Sequence, residues 1–219
     1  MIALKSMEEL FTILNGHVQY AVLRNYEHLL LPGDALLAGH PDIDLICTDR
    51  EQILSLNITS SRGSSSDRVH RSVLINQQPV DLDLREVGDG YYCRKWEEDM
   101  ISRRKLYLDS FYVLDHEDHF FSLLYHVLVQ KKTVSDDYKA RLIEMGSTYG
   151  LTQWDDGRAW ELLNRFLREH GYTYSYPESA RTVFNRKNAA PDLMEKDIRK
   201  QAVRSIEALK AGASKLLKK

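Results

Sequence analysis

Apolar and polar residues alternate with a period of two in several short stretches of the first ninety residues, and with helical spacing over most of the rest. Ser6-Met-Glu-Glu9 has the form of a capping box, predicting a helix over about 7–15 that Asn15-Gly16 stops. "HVQYAVLRN" then reads as a strand over 18–23. A connection follows, punctuated by Pro32, Gly33, Gly39 and Pro41, and leads to a second strand, "DIDLICT". Thr48-Asp-Arg-Glu51 is a second capping box, opening the short helix "REQILSLN". "SSRGSSSD", residues 60–67, reads as a flexible polar loop. "RVHRSVLIN", "QQP" and "VDLDLRE" read as strand, turn and strand, a β-hairpin.

After "GDG" the character changes. "WEEDMISRR" predicts a helix, and "KLYLDSFYVLD" one or two short strands. Helices are predicted for "EDHFFSLLYHVLVQKK", "SDDYKARLIEMG" and "DDGRAWELLNRFLREHG", the last closed by Gly171. "YTYSYPESARTVFN" is irregular. From Pro191 an amphipathic, basic helix is predicted, with Ile198, Ala202, Ile206, Leu209 and Leu216 on one side. The fold class predicted is α+β: a mixed β-sheet core followed by a helical C-terminal subdomain. The boundaries are 1–114 for the α+β domain, 115–190 for the helical subdomain and 191–219 for the basic helix, read as a packing or oligomerisation element.

Composition narrows the function. The chain has 219 residues, 43% of them hydrophobic, enough for a sizeable core. A net charge of −2 argues against a general nucleic-acid binder, which carries a basic excess. The opening "MIALKSMEELFTILNG" is too amphipathic for a signal peptide, and no apolar run approaches a membrane span. With its two cysteines, Cys47 and Cys93, the chain reads as a reduced, cytoplasmic protein without a transmembrane segment.

The chemistry lies in the aspartates. Asp42 and Asp44 are two apart in a strand, so they share a face. Asp81 and Asp83 repeat the pattern in the hairpin. Neighbouring strands lie about 4.8 Å apart, so three or four carboxylates converge if the two strands are adjacent. Like charges that close raise one another's pKa, and a hard divalent cation relieves the crowding. Mg²⁺, or Mn²⁺ in its place, suits such a ligand set, together with substrate phosphates.

This pattern resembles the nucleotidyltransferase fold of the DNA polymerase β superfamily over roughly residues 5–135. The family pairs an Asp-x-Asp strand with a third carboxylate on a later strand. "DIDLI" matches the pair with Asp42 and Asp44, and "PVDLDL" matches the third with Asp81, Asp83 standing in reserve. The arrangement also looks like the small nucleotidyltransferase-like proteins encoded with bacterial surface-polysaccharide genes. The family's Gly-Ser or Gly-Gly turn is replaced here by Leu23-Arg-Asn-Tyr26. Arg24 offers a phosphate-binding fork and Asn25 polar contacts. Arg85 and Lys132 are further candidates for phosphate.

The resemblance implies a Mg²⁺-dependent enzyme that moves a nucleotidyl or phosphoryl group from a nucleoside triphosphate to a hydroxyl of a sugar, polyol or glycan. Asp81 also stands to take the acceptor's proton. Two rivals are a metal-dependent glycosyltransferase using a nucleotide sugar and a non-catalytic binding or assembly module of the same fold.

Other clusters read more plainly. His116 and His119 do not have metalloprotease spacing, and Asp115 reads as a helix cap beside them. Arg103, Arg104 and Lys105 read as solvated surface. Tyr91, Tyr92 and Trp96 read as packing residues.

Overall fold

The computed structural model describes residues 2–30, 42–62, 68–176 and 182–195. Its architecture is α+β, with a seven-stranded mixed sheet followed by a largely helical C-terminal part. The chain divides into two compact units. The first takes residues up to Val87 and Glu97–His119; the second takes Gly88–Trp96 and the chain from Phe120 onward.

The first unit opens with α1 (Met7–His17), where Ser6 accepts a hydrogen bond from the Glu9 amide. β1 (Tyr20–Val22) and β2 (Asp42–Cys47) follow. The cap of α2 (Arg50–Ser55) is Asp49, not Thr48: its carboxylate accepts from the amides of Glu51 and Gln52. Thr48 instead turns its hydroxyl to the Gln19 carbonyl.

Next come β3 (Thr59–Ser61), β4 (His70–Ile75) and β5 (Gln78–Glu86). β3 corrects the loop expected from residue 60. A three-residue edge strand needs no apolar alternation, because its pairing with β4 orders it, Ser60 opposite Ser72. The β4–β5 turn is Asn76-Gln77, one residue earlier than the expected "QQP", and both have positive φ (48° and 68°). That is the backbone a two-residue hairpin of right-handed twist requires. After α3 (Arg94–Arg103), β6 (Lys105–Tyr107) and β7 (Phe111–Val113) form a second hairpin, turning at Leu108-Asp109 with positive φ at both.

The sheet order is β3-β4-β5-β2-β1-β7-β6. β2 pairs parallel with β5, and β1 parallel with β7; the other neighbours are antiparallel. One face is the core. Leu10, Phe11 and Leu14 of α1 and Ile53 of α2 pack on Tyr20 and Val22, on Ile43 and Leu45, and on Val80, Leu82 and Leu84. Each strand gives that face alternate residues, as a pleated strand must.

The second unit holds most of α4 (His116–Val129), with α5 (Asp136–Gly146) and α6 (Asp156–His170). Its centre is aromatic. Trp96 is fully buried among Tyr92, Tyr125, Phe166 and Tyr172, with ring centroids 5.0–5.9 Å away. Tyr91 and Tyr92 are buried with it, as packing residues. Gly171 ends α6 at φ 67°, in the left-handed conformation that spares glycine a Cβ clash.

The helix expected from Pro191 does not start there. Pro191–Leu193 is a single 3-10 turn, and Met194 pairs with Tyr174 in a β-bridge. Main-chain bonds on both sides of Tyr174 draw this segment into extended form. Residues 196–219, which carry the rest of that expectation, lie outside the described residues, as do 31–41 and 63–67. Among the described residues no helix is long and apolar enough to cross a membrane.

Candidate metal centre

β2 and β5 lie side by side in parallel, with Asp42 opposite Asp81 and Asp44 opposite Asp83. Ile43 and Leu45, and likewise Val80, Leu82 and Leu84, belong to the core cluster. The period of two therefore turns Asp42, Asp44, Asp81, Asp83 and Arg85 to the opposite face. There, Asp42, Asp44 and Asp83 each offer a carboxylate oxygen, and these oxygens lie within 4.8 Å of one another. No other group of three metal-ligating side chains forms among the described residues.

The third carboxylate of the group is Asp83, not Asp81, the first choice from the motif. Asp81 has a basic neighbour just beyond the edge strand. β3 ends at Ser61, and the next residue, Arg62, places its guanidinium 3.1 Å from Oδ2 of Asp81. Asp81 is thereby ion-paired. Asp83 instead shares Oδ1 with Nδ1 of His70 at 2.8 Å, and Arg62 stands farther off, at 3.9 Å. His70 lies directly opposite Asp83 in the β4–β5 register, so counting back from the hairpin turn was the one signal that could have found it.

Asp44 is the buried member, 6% exposed. Burial pushes its carboxyl above the usual range; Arg24 pulls it back, and Asp42 and Asp83 push it further up. Arg85, also buried, acts in Arg24's direction. Arg24, expected at phosphate, donates from Nη2 to Oδ1 of Asp44 at 2.7 Å, and both side chains are buried. The main chain reinforces the placement, because the Leu23 amide donates to the Asp44 carbonyl. Asn25 follows at φ 57°, a left-handed position that asparagine tolerates better than most residues. Lys132 belongs to the second unit and lines a cavity there.

The ligand set suits a hard divalent ion. An octahedral Mg²⁺ with oxygens at about 2.1 Å spaces them roughly 3–4.2 Å apart, close to the spacing already present. Burial is the main cause of the raised Asp44 carboxyl, with Asp42 and Asp83 adding to it, and a bound cation would favour its charged form.

Two histidines of α4 hydrogen-bond to tyrosine hydroxyls. Nδ1 of His119 meets the Tyr26 hydroxyl at 3.2 Å, and Nδ1 of His126 the Tyr91 hydroxyl at 3.1 Å. Asp115 caps α4 through the Asp118 amide, as expected. Arg103 is not surface decoration: it grips the fully buried carboxylate of Asp118 with both nitrogens of its fork. Comparison of the chain with protein-family models, curated proteins and solved structures gives no match.

Proposed function

We propose that the chain is a Mg²⁺-dependent transferase of the nucleotidyltransferase type, moving a nucleotidyl or phosphoryl group from a nucleoside triphosphate to a hydroxyl of a sugar, polyol or glycan. The observation that carries this reading is the convergence of the Asp42, Asp44 and Asp83 carboxylates, within 4.8 Å, from two parallel strands. Parallel pairing sets the spacing through the backbone, so the acids are placed before any ligand arrives.

The residues divide the work. Asp44 anchors the cluster from within, its Oδ1 held by Arg24. A carboxylate has a second oxygen, so this hold is compatible with ligation. Asp42 and Asp83, each half-buried, complete the ligand set from the more open side. His70 orients Asp83, the usual service of a hydrogen-bonded neighbour to a ligating carboxylate. Arg62 neutralises Asp81 and leaves it outside the set. What bound Mg²⁺ supplies is a positive field that screens phosphate oxygens and polarises the phosphorus toward attack.

Thermal stability in the presence of Mg-ATP, Mg-CTP, Mn²⁺ alone and a nucleotide sugar tests the reading. At a hundredfold excess over Kd a ligand adds about 2.7 kcal/mol, a Tm rise of roughly 5–10 °C for a chain of this size. A rise with triphosphate, abolished by Asp44→Asn or Asp83→Asn and largely retained by Asp81→Asn, is expected. A rise only with nucleotide sugar transfers the site to a glycosyltransferase. No rise with any of them leaves a non-catalytic module. Loss in Asp81→Asn with retention in Asp83→Asn would reverse the ligand assignment.

A further inference from the structure

The second unit holds a cavity of about 620 Å³ between the end of α4, α5 and the start of α6, within the range of small-molecule sites. Its lining mixes cations, acceptors and apolar groups. Among the cations are Lys131 and Lys132, exposed and engaged in no ion pair among the described residues. Lys139, a third cation on the wall, is already shared with Asp136 at 2.8 Å.

The lining also holds acceptors. Asp155 and Asp156 open α6 there, and each offers acceptor capacity beyond the single bond it makes locally. Asn185 and Asn188 add amides from the segment after residue 182. The apolar part is Val127, Leu128, Val134 and two indoles. Trp160 is nearly buried, and Trp154 is half-buried, with its N–H fixed on Asp156 at 2.7 Å.

Each feature removes a class of ligand. An inorganic anion uses the lysines but meets two carboxylates in the same lining and leaves the apolar groups idle. An uncharged sugar uses the acceptors and the indole but leaves the lysines idle. A free, uncharged base uses the indoles and the aliphatic side chains but leaves the lysines idle. A molecule with an anionic end, several hydroxyls and an apolar C–H face satisfies every wall at once.

We infer that this cavity is a binding site for a phosphorylated sugar, with the phosphate at Lys131 and Lys132 and the hydroxyls toward Asp155, Asp156 and the asparagines. The site goes beyond the proposed metal centre and does not depend on it.

Intrinsic fluorescence reads it, because two of the three tryptophans line the cavity. The full chain, free of divalent ions, is titrated with glucose 1-phosphate, inorganic phosphate and glucose. Glucose 1-phosphate is expected to give a saturable change, at least about tenfold tighter than either fragment. The double variant Lys131→Ala, Lys132→Ala weakens it roughly tenfold to a hundredfold. Both lysines are exposed, so the fold survives, which circular dichroism checks. Asp42→Asn leaves the affinity unchanged, so failure here and failure of the metal centre are read separately. Three results overturn the site: no saturation by about 10 mM, inorganic phosphate binding as tightly as glucose 1-phosphate, or unaltered affinity in the double variant.

Discussion

Arg24 and Asp44 form a buried ion pair twenty residues apart in sequence, and the geometry decides how it titrates. Burial raises the Asp44 carboxyl, and Arg24 is the largest influence opposing that rise. A raised carboxyl means that ionisation works against the fold: the stability belonging to the protonated form is present at low pH and is lost as pH rises through the folded value. Removing Arg24 strips away the main compensation. Arg24→Ala is therefore expected to cost about 3–5 kcal/mol at neutral pH, where it strands a buried charge, and clearly less in acid, where Asp44 takes up a proton. Urea unfolding at about pH 5 and about pH 8 measures the difference; equal losses at both would show that the pair does not govern Asp44. At this scale the sequence pointed to acids that the strands bring together, and to only part of their company. Asp42 and Asp44 stand out because two charges interrupt an apolar strand. That Arg24 serves Asp44, and that Arg62 takes Asp81 and His70 takes Asp83, depends on tertiary contacts and strand register, which residue type alone does not encode.

Among the elements, those with a periodic face or a side-chain cap were legible, and those ordered by a neighbour were not. α1, α5 and α6 all start at a side-chain cap, at Ser6, Ser135 and Asp155, and α6 stops at a left-handed glycine. β3 carries no apolar signal, since its partner strand supplies its hydrogen bonds. The segment after Pro191 misleads because its composition suits a helix while the Tyr174 main chain holds Met194 and Glu195 extended. The β4–β5 hairpin shows the same override in miniature. Gln77 is exposed and sits at φ 68° in a turn that glycine fits better. Gln77→Gly relieves roughly 1–2 kcal/mol of left-handed strain against about 0.5–1 kcal/mol of added chain entropy. A net gain near 0.5–1 kcal/mol, seen as a higher denaturant midpoint at unchanged slope, is expected. A lower midpoint would mean that the turn does not adopt this geometry. The same hairpin sets Asp83 opposite His70, so the variant must also leave Mn²⁺ binding intact.

For the molecule as a whole, the two units carry different chemistry, and that difference can be read residue by residue in one experiment. The carboxylates belong to β2 and β5 of the first unit; the lysine- and tryptophan-lined cavity belongs to the second. A ligand that binds only the native state slows hydrogen exchange most where local opening would break its contacts. Mn²⁺ is thus expected to protect amides of Asp42–Cys47 and Gln78–Glu86, the strands whose side chains it would draw together. Glucose 1-phosphate is expected to protect the first turn of α6 and residues 131–134, which border the cavity. Asp44→Asn should erase the first pattern and keep the second, and the paired lysine variant should do the reverse. Protection of the α6 turn by Mn²⁺ that survives in Asp44→Asn would place a cation among Asp155 and Asp156 instead, and so remove the acceptor wall from the sugar-phosphate site. Loss of both patterns in Asp44→Asn would show one coupled site where the chemistry of the walls describes two.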